Sequence, residues 1–115
     1  MIRLLTRELR AAEVDIDGDG TFDPGDSFIF EERLLNAGTG DVVGRDAAQC
    51  GLMVNQFSCT ATFLFGGRGK IMIDGVLFRG DSPASFAITG GTGRYSDASG
   101  AMTLVGDQLV FELED

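Results

Sequence analysis

Chemistry in this chain is offered first by Glu32. In Ser27–Leu35, SFIFEERLL, strand alternation places Phe28, Phe30, Glu32 and Leu34 on one face and Ile29, Glu31, Arg33 and Leu35 on the other. A carboxylate among aromatic and aliphatic neighbours is partly desolvated, which suits it to proton transfer or to stabilising a developing charge. If that face points to solvent instead, Glu32 is an ordinary surface residue, because one strand alone does not reveal its facing.

The second place is the acidic run DIDGDGTFDPGD. It sets Asp15, Asp17, Asp19, Asp23 and Asp26 at positions 1, 3, 5, 9 and 12 of a twelve-residue loop, with Thr21 at position 7 and Gly20 at position 6. That is the ligand spacing of an EF-hand calcium loop, with Asp in place of the terminal bidentate Glu. An EF-hand holds its loop between helices, whereas a strand pattern follows directly here. Two readings therefore stand, a Ca2+ site and a solvated acidic turn joining two strands.

The third is Cys50 and Cys59, which fall on two strand-like runs about equally far from a turn at Val54-Asn55. Opposed in that way they would form a cross-strand disulfide in an oxidising compartment, and otherwise stay as two small buried thiols. A secreted location follows from the disulfide, a cytoplasmic one from the thiols. Gly90-Gly91-Thr92-Gly93 lacks the following helix that a phosphate loop needs and reads as a turn.

Composition narrows the remaining chemistry. The 115 residues contain no histidine, which removes the commonest general base and most zinc sites. Nine basic residues against eighteen acidic ones give a net charge of -9, so no basic face is expected and nucleic acid is not an expected partner. No apolar run approaches the roughly 20 residues that span a bilayer, so no membrane partner is expected.

The elements that must position these residues are short strands. VVGRDAAQCGLMV follows the turn at residues 36–41, FSCTATFLF follows Asn55, and KIMIDGVLF and ASFAIT come next. SGAMTLV and QLVFELE close a last hairpin across Gly106-Asp107. LLTRELRAAEVDI at the front reads either as a short helix or as a first strand carrying Glu13 and Asp15 on one face, and the all-strand remainder favours the strand. About eight sequential strands in a single domain over residues 1–115 predict an all-β, eight-stranded antiparallel closed barrel, which removes sheet edges and holds at most one small ligand.

Three blocks, GDSFIFEERLLNAGTGDVVGRDAAQCGLMV, CTATFLFGGRGKIMIDGVLF and SFAITGGTGRYSDASGAMTL, resemble in order and spacing the allene oxide cyclase barrel and its bacterial relatives, a superfamily shared with dirigent proteins. The resemblance implies a barrel with an apolar interior that binds a hydrophobic small molecule and steers its cyclisation without an organic cofactor, in a homo-oligomer of two or three copies. It places Glu32 at a cavity asparagine of the plant enzymes, Cys50 at a cavity cysteine, and Glu13 and Asp15 at polar groups of the first strand. The expected site is thus Glu32 with Glu13 or Asp15 as charge-stabilising or proton-moving groups, in a cavity shaped by Phe28, Phe30, Leu34, Cys50, Phe63 and Phe65. The rival expectations are a non-catalytic ligand-binding barrel stabilised by calcium and a disulfide, and a dirigent-like protein that orients radical coupling.

Overall fold

A computed structural model describes residues 2–14, 24–54, 56–78, 84–106 and 108–114. Eight strands follow one another, β1 (Ile2–Val14), β2 (Ser27–Asn36), β3 (Val42–Leu52), β4 (Gln56–Leu64), β5 (Lys70–Phe78), β6 (Ala84–Gly91), β7 (Ser99–Val105) and β8 (Gln108–Glu114), with one-turn 3-10 segments at Gly66–Arg68 and Gly93–Tyr95. Each strand pairs antiparallel with the next, and β8 returns to β1, so the sheet is a closed barrel in sequence order. The front segment is a strand, as the surrounding strands favoured.

Closure dictates the residue pattern. In β6, Ala84, Phe86 and Ile88 are buried while Ser85, Ala87 and Thr89 are exposed. β4 repeats the pattern with Cys59, Ala61 and Phe63 inside and Ser58 and Thr60 outside. Among the described residues register irregularities adjust the wall at three places, the third between Met72 and Ile73 of β5. A bulge between Glu8 and Arg10 leaves Leu9 without a partner on β2, and the register between β2 and β3 shifts at Leu34 and Leu35. At the second irregularity the main chain of β4 approaches so closely that a Cβ on Gly44 would collide with the Leu64 carbonyl.

Height along the barrel separates two interiors. At the end made by the β2–β3, β4–β5 and β6–β7 connections, Leu4, Leu34, Ile71 and Phe111 are at most 2% exposed and fill the barrel. Phe111 meets Phe63 edge-on at 5.0 Å and Phe65 at 6.2 Å, and Phe65 packs on Tyr95 at 5.3 Å, so aromatic rings plug this end. Toward the opposite end the side chains leave space. There Phe28 stacks on Phe30 at 5.8 Å and meets Phe57 edge-on at 5.6 Å.

The plug carries much of the stability. Phe111→Ala is expected to lower the unfolding free energy by about 3–5 kcal/mol, since it deletes a fully buried ring that two others pack against. Val42→Ala, at an exposed position, should stay within about 0.5 kcal/mol of the parent. Urea denaturation of both variants checks the contrast, and equal midpoints would remove the plug from this account.

Candidate functional site

Inward-facing side chains of β1 to β8 enclose a cavity of about 280 Å³. Phe28, Phe30, Phe63 and Phe86 supply aromatic walls, Ile73, Met102, Leu104 and Leu109 aliphatic ones, and the polar side chains along it include Thr6, Glu32 and Asp46. Gly75 belongs to the same construction, because a Cβ there would stand 2.8 Å from the ring of Phe86. A wider hollow of about 400 Å³ lies between Ala47, Thr62, Met72, Asp74 and Thr89 on the outside of β3 to β6. It is open to solvent, so the more enclosed interior cavity is the candidate site.

The polar centre of the cavity is a pair of carboxyl groups. Register sets Glu32 of β2 directly opposite Asp46 of β3, and alternation turns both inward, as buried Leu34 and Cys50 on the same faces show. Asp46 is only 3% exposed. Its Oδ1 accepts the Glu32 backbone N–H at 3.1 Å, and its side chain also hydrogen-bonds the Glu32 side chain. Burial pushes the Asp46 carboxyl up to about 8, the hydrogen bond and negative charge of Glu32 push in the same direction, and the Glu32 N–H pulls weakly the other way. A carboxyl held that high stays largely protonated at neutral pH. A proton held between two carboxyl groups in an apolar cavity can be given to a substrate atom and taken back.

The expected residues divide by height and by strand. Glu32, Phe28, Phe30, Cys50 and Phe63 line the cavity. Leu34 and Phe65 sit lower, in the packed end, because alternation fixes which face a residue occupies but not its level along the axis. Glu13 lies opposite Phe28 near the far end of β1 and is exposed. Asp15, Asp17, Asp19, Thr21 and Asp23 lie outside the described residues. Asp26 is described, buried at the start of β2, where its carbonyl accepts the Leu52 N–H. Among the described residues no three acidic or cysteine side chains gather as metal ligands.

Cys50 and Cys59 face each other with Cα atoms 4.1 Å apart and form a disulfide in the cavity wall. Cys50 is therefore not a free thiol. Sequence reasoning missed Asp46, the partner that completes the pair. Its signal was present in VVGRDAAQC, where Asp46 shares a face with Gly44, Ala48 and Cys50, a run of small inward residues interrupted by one acid.

The acid pair has a thermodynamic signature. The folded state keeps a proton on Asp46 up to about pH 8, whereas the unfolded chain releases it near 3.8. The native state thus binds more protons in that window, and stability falls as pH rises through it. The contribution is whole below the unfolded value and lost by the folded one. Asp46→Asn, neutral in both states and able to make the same two hydrogen bonds, should show a flatter decline than the parent between about pH 4 and pH 8 in denaturant titrations. Identical slopes would mean that Asp46 is not held protonated.

No protein-family model matches the sequence, and no curated protein matches it. Among solved structures the chain is similar to pyocyanin demethylase, at 28% sequence identity and a TM-score of 0.85, over 98% of this chain and 98% of that one. The likeness thus spans nearly the whole chain, and the fold is an all-β, eight-stranded antiparallel closed barrel.

Proposed function

We propose that this barrel is an enzyme that takes a flat, hydrophobic, aromatic small molecule into its cavity and moves a proton between that molecule and the Asp46–Glu32 pair. The observation that carries the reading is a buried acid, its carboxyl pushed up to about 8 by burial and by a second carboxyl beside it, inside an apolar enclosure. A group held at about 8 is well matched to proton transfer near neutral pH. The likeness to pyocyanin demethylase supports a small-molecule substrate.

The walls define what fits. The parallel rings of Phe28 and Phe30 offer a face to a planar ligand, and the cavity is near the lower end of the usual range for small-molecule sites, about 300–1,000 Å³. A carboxylate ligand is disfavoured by Glu32, whereas a ring nitrogen or carbonyl oxygen can accept the Asp46 proton. The chain's own residues then have distinct tasks. Asp46 donates, Glu32 orients the donor and receives its hydrogen bond, and the aromatic wall excludes water, which strengthens both interactions. Ring closure of an apolar substrate, the activity the sequence resemblance implies, would draw on the same tasks, with the cavity folding the substrate and the pair protonating an oxygen as charge develops.

Pyocyanin is the probe at hand, followed by its visible absorbance for binding and by mass for loss of a methyl group. Saturable binding is expected, weakened at least about tenfold by Ala48→Phe, which fills the cavity. Glu32→Gln and Asp46→Asn are expected to bind within a few-fold of the parent and to lose about 10²–10⁴ in turnover. Binding untouched by the cavity-filling change would move the ligand elsewhere, and turnover untouched by both carboxyl variants would end the proton-transfer reading.

A further inference from the structure

The outer wall carries a feature that neither the cavity nor its chemistry uses. Register sets Arg7 of β1 opposite Arg33 of β2, and Arg33 opposite Arg45 of β3. Their chain neighbours Thr6, Leu34 and Asp46 face inward, so all three arginines point out, and all three are exposed. A third of the nine basic residues in a chain of net charge -9 stand in one cross-strand row.

Such a row is unfavourable by itself. Directly opposite side chains on neighbouring strands have Cβ atoms about 4.5–5.5 Å apart, and like charges so placed repel. With eighteen acidic residues in the chain, internal compensation was available. None of the three uses it: among the described residues the ion pair formed in this part of the wall is Arg10–Glu31 at 3.5 Å, and it occupies Glu31, the acid two places along β2 from Arg33. On the other side of the row stand Leu5 and Leu35, which offer no charge at all.

We infer that Arg7, Arg33 and Arg45 form a binding site for a compact multivalent oxyanion of the diphosphate or triphosphate type. Guanidinium groups are planar forks that grip oxyanions with paired hydrogen bonds, and an anion seated between two of them turns repulsion into attraction. Three in line at strand spacing match two or three linked phosphates rather than one. The charge around them sets the upper size. A long polyanion would leave the row within about 10 Å and run onto a negative surface, so nucleic acid is excluded by the same electrostatics that favour a short ligand.

Calorimetric titration with orthophosphate, pyrophosphate and tripolyphosphate tests the site without any knowledge of the enzyme's substrate. One site is expected, with affinity rising along that series, falling at least about tenfold in Arg33→Gln and Arg45→Gln, and partly kept in Arg33→Lys, which retains the charge without the fork. Arg94→Gln, outside the row, should bind like the parent. Arg33→Gln should melt no lower than the parent without anion, because it relieves repulsion, and should lose the rise in melting temperature that tripolyphosphate gives the parent. Absence of binding in the parent, equal affinity for the three anions, or an equal loss in Arg94→Gln would overturn the inference.

Discussion

Everything in this structure depends on one constraint, that a closed sheet has an inside. Once β8 pairs with β1 through Gln108–Phe111 and Ile2–Leu5, alternate residues along the closed stretch of the wall are committed to the interior. An open sheet could have left Asp46 or Glu32 at a wet edge. The closed one holds Asp46 away from water, and among the described residues a second carboxyl and a backbone N–H satisfy it. The unusual state of the acid is therefore a product of topology before it is a product of local sequence.

The same constraint divides the two ends by side-chain volume. Where Leu4, Leu34, Ile71 and Phe111 meet at one level, the interior is full. Where Ala48, Ala61 and Gly75 replace large residues on adjacent strands, Phe86 and its neighbours enclose space instead. A barrel of eight strands lies at the boundary between a packed core and a binding cavity, and a few small residues move one half of it across. The packed half supplies stability that lets the other half keep a cavity and its buried acid.

Much of this was legible in the sequence. The strands from Ser27 onward, the final hairpin, the opposition of Cys50 and Cys59 and the placing of Glu32 on one face with Phe28, Phe30 and Leu34 all follow from alternation and turn residues, whereas which way that face points does not. What escaped needed register rather than pattern. Asp46 matters because Glu32 is across from it, and Arg33 because Arg7 and Arg45 flank it, and neither relation exists along one strand. The expectation that no basic face would form came from net charge, which averages over the surface and conceals a row of three. Leu34 and Phe65 were assigned to the right face but not the right level. Glu13, a site residue by the sequence resemblance, lies beyond the Glu8/Arg10 bulge on the exposed stretch of β1.

The disulfide has a consequence for how the ring can open. By joining β3 to β4 across the cavity wall, Cys50–Cys59 makes that part of the circumference inextensible. The β1–β8 seam is held only from Ile2 to Leu5, while β1 is paired with β2 along almost its whole length. Four residue pairs make up that seam, and Thr6 and Leu109 of the cavity lining lie beside it. The barrel thus has a covalently fixed side and a side held by backbone pairing alone.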